Sequence, residues 1–422
     1  MIDKRVIEQV VQEQKVELRG YAEEEYCTRR EERLVDVDSK RAQVVVGVRR
    51  SGKSVLCYHI LRQHEKEFAY VNFDDERFLH LKAEDLNDVL EVLYKEYGDF
   101  KYLFMDEAQN IEGWHLFVNR LLRQRIHVLI TGSNAKLLSG ELATHLTGRN
   151  DQIELFPLSF AEYCDCRHVD KTSLTTKAVA FRRAAFDEYL RQGGFPELLT
   201  EKNKQRYVTE LFQEIIDKDL IRRFNIRNVR TFRQLSDHLM NVAPVILNLK
   251  ELSGQFDLSS VTIGAYIEHL KQAYLLVGLQ KYAVKSKLRV RNEKVYPVDV
   301  ALMDGRVDAM AGNNLGWRLE TQVYLELLRR NRPLGRDLYY YRERKGVEAD
   351  FVVCRDNHVE EIYQVSYDIS KEKTLRREIR GLLYASKATG CDNLYLITDH
   401  MQQTILEEGK TIKVVPAYEW LL

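Results

Sequence analysis

The stretch Gly47-Val48-Arg49-Arg50-Ser51-Gly52-Lys53-Ser54 decides the reading of this chain. It follows the apolar run Val44-Val45-Val46 and precedes a helix-compatible segment from Val55 through Leu61. The order is strand, glycine-bounded loop, helix, with the spacing G-x-x-x-x-G-K-S. Small residues let backbone N–H groups curl around a phosphate, and the helix N-terminus adds partial positive charge. Lys53 can then reach the β- and γ-phosphates of a nucleotide, while the Ser54 hydroxyl can hold Mg²⁺. Gly47, Arg49, Arg50, Ser51, Gly52 and Val55 complete the expected nucleotide-binding set. The competing reading, a chance match in an ordinary strand–turn–helix, is disfavoured by the apolar strand in front.

Downstream, the apolar run Tyr102-Leu103-Phe104-Met105 ends in Asp106-Glu107. Such a run suits a strand buried on both faces of a parallel sheet. It sets two carboxylates at the strand's C-terminal end, where open α/β sheets bind ligands. Asp106 would support Mg²⁺ through water, and Glu107 would polarise the attacking water as general base. A further run, Val128-Leu129-Ile130, ends in Thr131-Gly132-Ser133-Asn134. This strand is expected between the Asp106 strand and the phosphate loop. Ser133 and Asn134 are candidates to hydrogen-bond the γ-phosphate or the attacking water; a simple turn is the competing reading. Arg149, just before an expected last strand at 153–156, could neutralise charge on the γ-phosphoryl group in its own or a neighbouring subunit. Arg49 and Arg50 are rivals for that task, and a solvated surface arginine is the plain reading. Strands alternating with helices argue for a mostly parallel sheet.

At 422 residues the chain is long enough for roughly three domains of ~150 residues. Lys plus Arg and Asp plus Glu number 64 each, so no global field drives the protein onto nucleic acid or membrane. Any nucleic-acid surface must be a local patch. The six cysteines are scattered, and Cys164-Asp165-Cys166 has no second pair to complete a metal site. Free thiols in a reducing cytosol are expected. The charged N-terminus lacks a signal-peptide core, and no run approaches the ~20 apolar residues of a membrane span. The expectation is a soluble cytoplasmic protein without a membrane partner.

Four regions are expected: residues 1–165 with an N-terminal amphipathic helix, a helical subdomain at 166–226, a helix-turn-helix with a wing at 227–300, and an α/β segment at 301–422. Gly193-Gly194-Phe195-Pro196 marks a sharp turn in the second region. In the third, three short helical stretches are followed by Lys285, Lys287, Arg289, Arg291 and Lys294. Their alternation suits a β-wing with cations on one face, and such surfaces bind DNA phosphates. A winged helix used only for protein packing is the competing reading. In the last region Glu348 and Asp350 share a strand face, and with Glu320 they could form a carboxylate cluster for a divalent ion. Gln364 and Ser366 would face the same place from the neighbouring strand. Spacing alone favours a pair of solvated acids on an exposed strand.

The ordered set resembles a family of bacterial and archaeal AAA+-like P-loop ATPases with a C-terminal domain of unknown function similar to PD-(D/E)xK restriction endonucleases. The residues that carry the resemblance are Gly47–Ser54, Asp106-Glu107-Ala108-Gln109-Asn110 with Trp114, Thr131–Asn134, Gly193-Gly194-Phe195-Pro196-Glu197, and Glu348-Ala349-Asp350-Phe351. It implies an additional-strand P-loop sheet, then a winged helix, then a restriction-endonuclease-like α/β domain, beside the helical subdomain read from the pattern of residues. It also implies ATP as the nucleotide. The nuclease type carries Glu-x-Lys on the strand after its aspartate, whereas this chain has Gln364-Val365-Ser366, and the missing ammonium argues for loss of cleavage. Lys345 lies near in sequence and is a weak replacement. The expected function is Mg²⁺-dependent ATP hydrolysis that moves the winged-helix and nuclease-like module on DNA, with homo-oligomerisation possible. An ATP-gated binding protein with little turnover and an ATP-coupled nuclease are the alternatives.

Overall fold

The computed structural model of the chain describes residues 2–22, 26–134, 146, 148–283, 293–304, 314–343, 346–356 and 358–422. The expected wing cations Lys285, Lys287, Arg289 and Arg291, together with Lys345, lie outside the described residues. Two compact units emerge, Met1–Pro157 with Gln272–Tyr274, and Leu158–Lys271 with Leu275–Leu422.

The first unit opens with helix α1 (Lys4–Glu17), followed by β1 (Ala42–Val46), α2 (Lys53–Gln63), β2 (Phe68–Asn72) and α3 (Leu86–Tyr97). Then come β3 (Tyr102–Asp106), α4 (Trp114–Arg123), β4 (His127–Gly132) and β5 (Asn150–Glu154). All five strands run parallel in the order β2-β3-β4-β1-β5. Every residue of β1 is buried, as a strand covered on both faces requires. The strand ending at Gly132 therefore lies between the phosphate-loop strand and the Asp106 strand. Trp114, Phe117 and Leu121 on α4 are core residues. Helix α1 guards the edge strand: the Gln14 side-chain amide donates to the Asn72 carbonyl at 2.9 Å and accepts from the Asn72 N–H at 2.9 Å. A side chain thus occupies ladder positions that an added strand would otherwise take.

The second unit begins with α5 (Phe160–Cys166), capped by Ser159, whose hydroxyl and backbone N–H share the Glu162 carboxylate. Helices α6 (Thr176–Gln192) and α7 (Lys204–Glu214) follow. Next are α8 (Val229–Val242), β6 (Val245–Ile246), α9 (Leu249–Phe256), α10 (Ser260–Gln272), β7 (Leu276–Lys281) and β8 (Lys294–Pro297). The C-terminal part consists of α11 (Leu315–Asn331), β9 (Asp337–Arg342), β10 (Glu348–Arg355), β11 (His358–Val365), α12 (Glu372–Thr389), β12 (Leu394–Thr398), β13 (Gln403–Glu407), β14 (Lys410–Pro416) and α13 (Ala417–Trp420). The hairpin β13–β14 carries no motif and goes beyond the sequence reading.

A nine-stranded sheet, ordered β13-β14-β12-β11-β10-β9-β7-β8-β6, runs through this unit. The strands that follow α10 join the C-terminal strands through the parallel pair β7–β9. The Gly193-Gly194 turn is held here too. A Cβ on Gly193 would stand 1.9 Å from Asp299 Oδ1, and one on Gly194 would stand 2.3 Å from the Leu158 carbonyl. Only glycine leaves room for that approach. Asp299 accepts from the N–H groups of Gly194 and Ala301, each at 2.8 Å.

Two sequence expectations are corrected. Cys27 and Cys166 do not stand as free thiols, so not all six are free; Cys57, Cys164, Cys354 and Cys391 are buried free thiols. Glu348 and Asp350 are not solvated acids, because Asp350 is buried and both surround the ammonium of Lys294. Among the described residues, no helix is long and apolar enough to cross a membrane.

Candidate functional site: a phosphate loop facing two carboxylates

The loop 47–54 closes tightly on the end of the sheet. A Cβ on Gly47 would stand 2.1 Å from the Leu155 carbonyl, so this position needs glycine. Gly52, at φ +92°, turns the chain into α2 and leaves the first amides of that helix facing the loop. Lys53 is buried and donates to the Val48 carbonyl at 3.1 Å, with Glu107 Oε1 at 3.8 Å. Ser51 Oγ is buried with no hydrogen-bond partner. A buried hydroxyl lacking a partner, in a loop that also carries a buried ammonium, fits an anion of phosphate size.

Ser54 Oγ donates to Asp106 Oδ1 at 2.9 Å, joining the helix start to the β3 tip. Thr131 Oγ1 also donates to Asp106 Oδ1, and Tyr70 OH donates to Oδ2 at 3.2 Å. Burial pushes the Asp106 carboxyl up to about 6, and the neighbouring Glu107 adds to the effect, while Thr131, Ser54 and Lys53 oppose it. A hydroxyl and a carboxylate paired in this way form a hard oxygen donor set suited to Mg²⁺. Glu107 Oε2 accepts from Ser133 Oγ at 3.1 Å, from Ser133 N–H at 3.3 Å, and from the Gln109 side-chain amide. Its backbone sits at φ 50°, in the left-handed region, and its N–H donates to Thr131 Oγ1 at 3.1 Å.

Lys53, Ser54, Asp106, Glu107 and Ser133 are thus brought together. Asn134 is buried at the same strand tip. Arg49 is turned towards Asp74 at 3.4 Å, Arg50 is exposed at φ 65°, and Val55 is half-buried on α2. Arg149 is exposed and donates to Asn119 Oδ1 at 3.3 Å. Four residues to which the sequence reading gave no role join the site. Thr131 shares the Ser133 side of the strand by the period of two, and that is the signal which points to it. Tyr70 lies in the middle of β2, and Gln109 sits in the turn just past the end of β3. Arg29 is buried and donates to the Ser51 carbonyl at 3.0 Å and the Phe156 carbonyl at 2.6 Å, bracing the loop from behind. Nothing in its spacing marks it.

With this geometry, three segments match known family models. Residues 39–164 match an AAA domain, 183–311 a domain of unknown function (DUF8612), and 315–420 a domain of unknown function (DUF4143). An uncharacterised protein of Methanocaldococcus jannaschii is 32% identical over 398 residues, covering 90% of this chain and 88% of its own. This chain belongs to the same family. Its first part is an AAA-type P-loop ATPase domain, and the C-terminal domain of unknown function follows. An uncharacterised Haemophilus influenzae protein is 28% identical over 401 residues, with 91% of this chain and 95% of that one covered. Among solved structures, the Thermotoga maritima RuvB Holliday junction branch migration motor aligns at 17% identity over 67% of this chain and 90% of its own, with a TM-score of 0.31.

The C-terminal candidates converge differently from the AAA domain site. Lys294 Nζ, from β8, lies 2.8 Å from Glu320 Oε1, 2.9 Å from Glu348 Oε1 and 3.8 Å from Asp350 Oδ1. Glu320, Glu348 and Asp350 gather around an ammonium rather than standing as solvated acids. In the sequence, Lys294 follows Arg291 by three residues, so a period of two puts it out of step with the four cations before it. Gln364 is drawn aside: its Oε1 accepts from the Asp350 N–H at 3.2 Å, and its amide donates to Glu378 Oε2 at 2.7 Å. Ser366 Oγ donates to the Asp368 carbonyl at 3.4 Å.

Proposed function

We propose that this protein binds and hydrolyses ATP, with Lys53 holding the β- and γ-phosphates and Glu107 activating the attacking water. The observation that carries this reading is the convergence of Lys53, the Ser54–Asp106 pair and Glu107 on one loop-facing cluster. Ser54 and Asp106 would hold Mg²⁺, which supplies charge neutralisation for the phosphates when bound. Lys53 then exchanges the Val48 carbonyl for phosphate oxygens. Glu107 leaves Ser133 and Gln109 to accept the water proton, and Ser133 or Asn134 reports the γ-phosphate. Arg149, with Arg49 and Arg50 as rivals, would neutralise charge on the departing group.

The order α8-β6-α9-α10-β7-β8 matches a helix-turn-helix with a strand hairpin, and supports a winged helix that docks on DNA through Lys285, Lys287, Arg289 and Arg291. The C-terminal strands and α11 support a nuclease-like α/β domain without cleavage, since Gln364 and Ser366 supply neither a carboxylate nor an ammonium. ATP turnover would move this module on DNA, in the cytoplasm, with self-association possible.

The test is steady-state ATP hydrolysis by the full chain. Glu107→Gln is expected to lower kcat by roughly 10²–10⁴-fold while nucleotide binding persists. Hydrolysis that survives this change would overturn the assigned base.

A further inference from the structure

The cluster of Glu320, Glu348 and Asp350 gathers three carboxylates from α11 and β10 on one point, and that point is held by a side chain of this protein. Lys294 reaches it from β8, with Nζ 2.8 Å from Glu320 and 2.9 Å from Glu348. The lysine is 6% exposed and Asp350 is 7% exposed. Other groups of the protein also contact these carboxylates. Tyr296, two residues on and on the same face of β8, donates its OH to Glu320 Oε1 at 2.7 Å. Asp350 Oδ2 accepts from the Val365 N–H at 2.8 Å, and Arg342 stands 3.8 Å from Glu348 Oε2. Among the described residues, no group of three or more His, Cys, Asp or Glu is arranged to hold a metal ion.

We propose that Lys294 is the resident cation of this cluster: its ammonium takes the place a divalent ion would occupy, and the C-terminal domain binds no metal there while it is present. Two facts beyond the acidic cluster itself point this way. The ammonium sits at hydrogen-bonding distance from two of the three carboxylates, so a dication could enter only by displacing it or by standing beside a like charge in a poorly solvated place. The carboxylates in turn explain a buried lysine, which without them would be an uncompensated charge. Burial alone would lower the Lys294 pKa, but Glu320, Asp350 and Glu348 outweigh it and hold the ammonium well above the ordinary lysine value.

The ammonium also ties three segments far apart in sequence, β8, α11 and β10, at a place where the nine-stranded sheet carries strands from both halves of the unit. It acts as a pin between the β7–β8 hairpin and the C-terminal domain. None of this depends on ATP hydrolysis, so it stands or falls apart from the proposed activity.

The test is Mn²⁺ titration of the nucleotide-free full chain by electron paramagnetic resonance, with circular dichroism as the fold check. Wild type and Asp350→Asn are expected to bind the same amount of Mn²⁺. Lys294→Met, which keeps length and removes charge, is expected to gain one further Mn²⁺ per chain, and the gain is expected to vanish in the Lys294→Met/Asp350→Asn double variant. If Lys294→Met fails to fold, Lys294→Gln, which removes the charge but keeps a hydrogen-bond donor for the carboxylates, is read in the same way. Wild-type Mn²⁺ binding that drops in Asp350→Asn, or a folded Lys294→Met or Lys294→Gln variant that gains no ion, overturns the proposal.

Discussion

Glu107 shows how a single residue ties backbone to chemistry. Its φ of 50° is one that non-glycine residues adopt at a cost of about 1–3 kcal/mol, so surrounding contacts must hold it. Thr131 supplies one such contact by accepting the Glu107 N–H, and its hydroxyl proton goes to Asp106. Thr131→Val keeps the shape and removes both interactions, leaving a backbone N–H without its acceptor and Asp106 short of a donor. The expected cost is about 1–3 kcal/mol in thermal or denaturant unfolding of the first unit. A fall in ATP turnover larger than any fall in nucleotide binding should accompany it, because the residue that loses its support is the proposed base. Equal stability and turnover in the variant would remove Thr131 from the site.

Between elements, the controlling contacts in the second unit are backbone approaches. The Gly194 carbonyl accepts from the Leu158 N–H at 2.7 Å, and a Cβ on Gly194 would stand 2.3 Å from the Leu158 carbonyl. Backbone cannot swing aside as a long side chain does. Gly194→Ala is therefore expected to destabilise by about 1–3 kcal/mol or more, read as a lower unfolding midpoint in urea. Gly254, where an added Cβ meets nothing within 4 Å, is the control position. Gly381 on α12 follows the same logic, since its Cβ would stand 2.2 Å from the Glu348 carbonyl.

Asp299 holds the same turn and carries a pH signature. Burial pushes its carboxyl up to about 6, against the hydrogen bonds from Ala301 and Gly194 and the charges of Arg329 and Arg318. The unfolded chain releases that proton near about 3.9, so the folded state binds the proton more tightly. The contribution to stability is full below about pH 4 and is lost as pH rises through about 6, amounting to up to about 3 kcal/mol. Asp299→Asn should flatten this part of the stability–pH curve between about pH 4 and 7, measured against wild type by denaturant unfolding. Parallel curves would show that Asp299 does not titrate in this window.

For the whole molecule, equal numbers of acidic and basic residues leave DNA affinity to a local patch. If the segment 285–291 touches the duplex, reversing the charge of Lys285, Lys287, Arg289 and Arg291 should weaken binding across all sequences. It should also flatten the dependence of log affinity on log salt by about 0.9 for each phosphate that is no longer neutralised. Fluorescence anisotropy at several salt concentrations measures both. An unchanged slope places the DNA-binding surface elsewhere.

What the amino-acid order determined by itself was local. The phosphate loop, the acids at the end of an apolar strand and the polar tip of the next strand each depend on a few neighbouring residues, so spacing reports them directly. The parallel sheet followed because strands alternate with helices and the runs Val44–Val46 and Leu103–Met105 are apolar throughout. Folding decided the contacts made across long stretches of chain. Arg29 meets Phe156, Asp299 meets Gly194, and Lys294 meets Glu320 and Glu348. No spacing rule joins such pairs, because their distance is set by how elements pack. Lys294 makes the point most plainly: in the chain it closes a run of alternating cations, and in the fold carboxylates from α11 and β10 surround it.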